Sequence, residues 1–179
     1  MNYILIMSEG TTEKAFLDVL LEKKILGFPK EELLGEQIFH LRQIKGEALA
    51  LIQMLPYQDC VTIYRIGDKL SDQLQIPKNI LPEKINNIID ISTTPEFEVL
   101  FLINEDMYDE YLKEKSVLKP SEFYKRENSS YNKQSKFVKE YFSKMSRKEI
   151  IDLIKLYDKK HGKIDNEHNK FTLLKIINN

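Results

Sequence analysis

The chain has 179 residues, 31% charged and 42% hydrophobic, with a formal net charge of −1. That composition points to a soluble globular protein with one ordinary core rather than a disordered chain, and no apolar run approaches the roughly 18 residues of a membrane-spanning helix. Cys60 is the single cysteine, which excludes a disulfide framework or a zinc-thiolate cluster and makes a cytoplasmic location the expectation.

Tyr3 to Met7 are five consecutive apolar residues followed by Ser8-Glu9-Gly10, which reads as a short buried strand and a turn. Ala15, Phe16, Val19 and Leu20 then recur at helical spacing over residues 14–21. Thr11 or Thr12 is placed to cap that helix and Glu13 to lie in its first turn. Leu26-Gly-Phe-Pro29 stops it. Residues 37–44 alternate enough to predict a second strand, and residues 46–55 a second helix ended by Pro56. Residues 60–66 form a third apolar run that ends at Gly67-Asp68.

The polar stretch 69–82 has no clear element, 83–87 reads as a short helix and 88–91 as a fourth short strand. Thr94-Pro95 then opens a helix over 96–103, with Thr94 as cap and Glu96 and Glu98 in its first turn. Helices are predicted over 107–115, 133–145, 146–160 and 169–177, separated at 119–121, 128–130 and 161–162. Ser146-Arg-Lys-Glu149 matches a capping box, and Phe137, Val138, Tyr141, Phe142 and Met145 form a core-facing stripe. Strands alternating with helices imply an α/β fold with a mostly parallel four-stranded sheet flanked by helices, residues 1–112, and a helical C-terminal extension packed on it, residues 113–179.

The two parts differ in charge. Residues 1–112 carry 10 Lys/Arg against 19 Asp/Glu, whereas residues 113–163 carry 15 against 7. An acidic half joined to a basic half suits metal ligands in the first and phosphate contacts in the second, although lysine-rich helices are also simply well solvated.

Glu9 follows the first strand, Asp68 the third, and Glu96 and Glu98 the fourth. In a parallel sheet these positions share one edge, where open α/β folds bind their ligands. Carboxylates without thiol or imidazole partners select a hard cation, Mg²⁺ or Mn²⁺, which activates water and stabilises a leaving oxygen in phosphoryl transfer. Glu13 has a second explanation, because an acid in a first helical turn is favoured by the helix dipole alone. His40, His161 and His168 stand at unrelated spacings and read as surface or hydrogen-bonded side chains. No Gly-x-Ser-x-Gly elbow, dinucleotide fingerprint or P-loop is present.

Glu9-Gly-Thr-Thr-Glu13, between an apolar strand and a helix, resembles the first motif of TOPRIM domains, as in OLD-type (overcoming-lysogenisation-defect) nucleases and RloB-like proteins. Thr94-Pro-Glu-Phe-Glu98 resembles the Pro-x-Phe-Glu segment of RloB-like proteins and the later acidic motif of OLD nucleases. The resemblance covers scattered motifs within residues 3–104. It implies a Mg²⁺- or Mn²⁺-dependent nuclease acting on DNA or RNA, with Glu9, Glu13, Asp68, Glu96 and Glu98 as metal ligands, Asp72 a further candidate and Lys69 stabilising charge on the phosphate. Glu9, Asp68 and Lys69 would be catalytic. The family's Asp-x-Asp motif is broken, because aligning its second Asp on Asp68 leaves Ile66 at the first. That departure admits an alternative, a catalytically degenerate module that binds nucleic acid or protein; a sensor of a phosphorylated small molecule is a third reading.

The family also implies a role in bacterial defence against phage beside an ATPase partner. Lys119, Lys125, Arg126 and Lys133, interleaved with Phe123, Tyr124 and Tyr131, are the candidate nucleic-acid contacts, with the rings available to stack bases.

Overall fold

The computed structural model describes residues 1–67, 73–94, 96–165 and 172–178, with helix backbone alone over 161–165. Its centre is a sheet of four parallel strands, β1 (Asn2–Ser8), β2 (Phe39–His40), β3 (Cys60–Gly67) and β4 (Ile85–Ser92), in the order β2-β1-β3-β4. Seven helices flank it among the described residues: α1 (Thr11–Glu22), α2 (Gly46–Met54), α3 (Val99–Asn104), α4 (Tyr108–Glu114), α5 (Pro120–Glu127), α6 (Ser135–Ser143) and α7 (Arg147–Asp165). The fold is α/β with an all-parallel sheet, as the alternation of apolar runs requires.

Successive side chains of a strand point to opposite faces, so β1, apolar throughout its centre, feeds two cores. Ile4 and Ile6 join Ile66 and Ile91 in the larger one, against Phe16, Leu17 and Leu20 of α1 and the helices from α3 onward. Leu5 and Met7 join Val61 and Ile63 in the smaller one, under Ala48 and Ile52 of α2. The larger core is aromatic: Phe16 meets Phe142 edge-on at 4.6 Å, and Phe101 stacks on Tyr124 at 5.0 Å. The C-terminal helices therefore complete the main core, with Phe142, Ile150, Ile154 and Tyr157 all 0–1% exposed.

Several boundaries differ from the sequence reading, each for a local reason. The second strand keeps only Phe39 and His40 of the expected 37–44, and 3₁₀ turns over Lys30–Glu32 and Leu34–Glu36, with Gly35 at φ 67°, precede it. The fourth strand is twice the predicted length, and the helix expected over 83–87 shrinks to one 3₁₀ turn at Pro82–Lys84. Gly10, not Thr11 or Thr12, is the N-cap of α1, and the Thr12 hydroxyl donates to Glu13 instead (2.9 Å).

Glu98 rather than Thr94 is the N-cap of α3, while Thr94 Oγ1 shares a 2.6 Å hydrogen bond with Ser92 Oγ. Pro120–Glu127, its start read as a separator, is a helix: Pro120 sits at its first turn, and Glu122 accepts the Lys119 N–H at 3.0 Å. Helix α7 runs through His161-Gly162 to Asp165, and residues 173–176 form a 3₁₀ turn in place of an α-helix. The capping box at Ser146 and Glu149 forms as expected, with both reciprocal backbone bonds made.

Candidate functional site at the carboxyl edge of the sheet

From β1 the chain moves outward to β2 on one side and then to β3 on the other. The carboxyl ends of β1 and β3 thus flank a topological switch point, the place where a parallel sheet leaves a crevice. Glu9 and Gly10 sit at the first of these ends and Gly67 at the second. The Glu9 N–H donates to the Ile66 carbonyl at 2.9 Å, which prolongs the ladder by one residue. His40 Nε2 lies 2.9 Å from the Glu9 carbonyl oxygen and ties β2 to the same turn.

Two glycines let the neighbouring carboxylates approach the backbone. A Cβ on Gly67 would stand 2.7 Å from Glu9 Cγ, so the Glu9 side chain lies directly across that backbone. A Cβ on Gly10 would stand 1.9 Å from Glu13 Oε2, so the Glu13 carboxylate folds back over the turn that caps its own helix. At the end of β4 the Thr93 N–H donates to the Gly67 carbonyl at 3.0 Å. Thr93 is 1% exposed, and its hydroxyl has no hydrogen-bond partner among the described residues.

The turn after β4 brings in the other two acids. Glu96 accepts the Ser121 N–H at 3.1 Å, a carboxylate on the N-terminal turn of α5 where the helix dipole favours it. Glu98 is 4% exposed, accepts the Tyr131 hydroxyl at 2.6 Å and has Lys133 Nζ at 3.7 Å. Burial pushes the Tyr131 hydroxyl far above its ordinary value and the Glu98 charge adds to the rise, so Tyr131 remains a donor throughout the physiological range. Glu13, Glu96 and Glu98 line one cleft of about 200 Å³ together with Gly10, Thr12 and Lys133.

The predicted acids therefore divide. Glu13, Glu96 and Glu98 share the cleft, while Glu9 turns to Arg65, whose Nη2 is 3.8 Å from Glu9 Oε1. Asp68, Lys69 and Asp72 lie outside the described residues, as does His168. Among the described residues no three His, Cys, Asp or Glu side chains stand together as a ready-made metal cluster. The carboxylates that line the cleft are oxygen donors, the type a hard cation such as Mg²⁺ takes one or two at a time with water filling the rest. A larger cleft of about 910 Å³ opens beyond the end of α1, between Phe28, Ile38 and Lys139, and no predicted site residue lines it.

The basic candidates also separate. Lys119 and Lys125 are exposed, and Lys133 is 58% exposed at the cleft. Arg126 is held in a two-pronged pair with Glu114 (2.7 and 2.9 Å), bonds Glu127 at 2.7 Å and lies 4.7 Å above the Phe123 ring. The expectation that Phe123, Tyr124 and Tyr131 stack bases is overturned: they are 1%, 0% and 3% exposed, spent on the aromatic core.

Sequence reasoning missed Arg65 and Asp90. A signal was present for Arg65, a charge within the buried run of β3, but not for Asp90, which stands on an edge strand that also carries Asn86 and Asn87 and is exposed over residues 86–88. Their side chains meet at 3.3 Å. Compared with known proteins, the chain matches no family model, no curated protein and no solved structure.

Proposed function

We propose that this protein is a TOPRIM-like, Mg²⁺- or Mn²⁺-dependent nuclease that cleaves DNA or RNA phosphodiesters. The observation that carries the proposal is that Glu13, from the first turn of α1, and Glu96 and Glu98, from the turn after β4, line one cleft at the carboxyl edge of the sheet. One or two of these carboxylates would hold the cation, which when bound would supply Lewis-acid activation of water and charge stabilisation at the scissile phosphate. Glu96 and Glu98 are held in place by Ser121 and Tyr131, so a ligand meets preset oxygens.

Lys133 stands at the rim with its ammonium toward Glu98, in reach of a phosphate entering the same cleft. Lys119 and Lys125, both exposed, would add phosphate contacts, and Asp68, Lys69 and Asp72 belong to the proposal through the motif resemblance. A place in phage defence beside an ATPase partner rests on that resemblance too.

A second reading, a degenerate module that binds nucleic acid or protein without turnover, is favoured by two observations: the Arg65 guanidinium beside Glu9, and the complete burial of Ile66. Purified protein incubated with plasmid, single-stranded DNA and tRNA in Mg²⁺ or Mn²⁺ separates the two. Cleavage that is lost in Glu13→Gln supports the nuclease. A salt-dependent gel shift in EDTA without cleavage in either metal supports the module.

A further inference from the structure

The chain enters β3 and β4 at the amino edge of the sheet, the end opposite the candidate site, through residues 53–58 and 79–84. In a chain that is 31% charged, these two stretches hold only Glu83 and Lys84, and Lys84 is buried. What they expose instead is apolar. Met54, Tyr57 and Leu81 are 79%, 79% and 53% exposed, and Pro56 and Pro82 are exposed beside them. Such side chains are ordinary when scattered and informative when they gather.

They gather because a buried cation ties the two stretches together. The Lys84 ammonium donates to the Leu55 carbonyl at 2.8 Å, to the Pro56 carbonyl, and to the Asp59 carbonyl at 3.4 Å. The Lys84 N–H donates to the Leu81 carbonyl at 2.9 Å, and Gln53 Nε2 donates to the Asn79 carbonyl at 3.3 Å. Charge is thereby turned inward onto backbone carbonyls, and the large apolar side chains are left facing out. The surface is fixed in one shape before anything binds, so little ordering entropy opposes association.

We infer that two copies of the chain meet through this surface about a two-fold axis, in a dimer whose carboxyl edges face outward. Met and Tyr set among the amides of Gln53, Gln58 and Asn79, with charge nearly absent, is the make-up of a protein–protein interface. It offers no cation to a nucleic acid or an anionic membrane. Met54, Pro56, Tyr57, Leu81 and Pro82 expose on the order of 500 Å² between them. Two such patches face to face bury about 1,000 Å², the size at which an interface becomes specific. A two-fold pairing sets each patch against its own copy, and an apolar surface with one exposed charge, Glu83, is complementary to itself. Both candidate clefts stay open in this dimer, and the inference does not depend on what they bind.

The test is sedimentation velocity of the full chain from low micromolar to several hundred micromolar concentration. Wild type passes from monomer to dimer over that range. Tyr57→Glu and Leu81→Glu place a charge in the interface and weaken the dimer about 30-fold or more. Because both side chains are exposed in the monomer, its thermal melting at the lowest concentration stays that of wild type. Val117→Glu changes a residue that is 81% exposed in the turn before α5, whose Ser121 bonds Glu96 at the opposite edge, and it dimerises as wild type does. Amide hydrogen exchange over 53–58 and 79–84 slows as wild type is concentrated, and does not slow in Tyr57→Glu. A wild type that remains monomeric at several hundred micromolar overturns the inference. So does a dimer that survives both Tyr57→Glu and Leu81→Glu, or one that is lost in Val117→Glu.

Discussion

Gly10→Ala separates the site from the fold. The new Cβ would lie 1.9 Å from Glu13 Oε2 and 2.7 Å from its Cδ, against a floor of 3.0 Å for real contacts, so the carboxylate has to retreat by about 1.1 Å. The atoms struck are the end of a flexible side chain, and the backbone at residue 10 (φ −103°, ψ 154°) is open to alanine. Ala is a poorer N-cap than Gly by up to about 1 kcal/mol, which the stiffer unfolded chain offsets by roughly 0.4–1 kcal/mol. The melting temperature should therefore stay within about 2–4 °C of wild type. Displacing one of the few carboxylates on a hydrated Mg²⁺ or Mn²⁺ ion should weaken binding by about tenfold or more, or roughly 1.4 kcal/mol. Isothermal titration with Mn²⁺ and a thermal scan read the two effects separately. Gly27→Ala, whose Cβ meets nothing closer than 3.6 Å, is the control. A stable Gly10→Ala protein with wild-type Mn²⁺ affinity would refute the placement of Glu13 in the cation site.

Ile66→Asp, which restores the family's acidic pair in sequence, should fail to fold instead of gaining activity, because Ile66 is 0% exposed in the main core and an unpaired buried carboxylate costs several kcal/mol; circular dichroism of the purified variant checks this. Phe101→Ala removes a ring that touches Phe97, Tyr124, Tyr131, Phe137, Tyr141 and Phe142, and should cost about 3–5 kcal/mol in urea unfolding. Tyr124, Tyr131 and Tyr141 are all held above their ordinary value of 10.0, chiefly by burial. The unfolded chain loses these protons near pH 10 while the folded chain keeps them, so their stabilisation is intact below that pH and falls steadily above it. Denaturant midpoints measured from pH 8 to 11.5 should drop beyond about pH 10, and less steeply in Tyr131→Phe. Arg126→Ala should weaken oligonucleotide binding less than Lys133→Ala in a gel shift, because Arg126 is already paired with Glu114 and Glu127.

The motif after β1 and the acids after β4 were legible because strand ends and turns are local features: an apolar run, a glycine and a carboxylate stand within a few residues of one another. The face of the sheet each acid would take was not. Glu9 and Glu13 are four residues apart, yet one side chain lies across Gly67 beside Arg65 and the other folds over Gly10. The difference comes from the strand's pleat meeting the first turn of a helix. The aromatic residues of 123–131 misled for the opposite reason, since a ring suited to stacking on a base is equally suited to a core, and Phe101 completes that core from another helix.

Local chemistry, carried by the sequence itself, determined that four strands would pair in parallel between helices and that acids would gather at their carboxyl ends. Period and punctuation suffice for that, because backbone hydrogen bonding and burial leave few other arrangements. Tertiary structure alone decided the grouping of those acids: Glu13, Glu96 and Glu98 around one cleft, and Glu9 with Asp90 around a buried guanidinium. Charges separated by dozens of residues find partners only through strand order and register, which no short stretch of chain encodes.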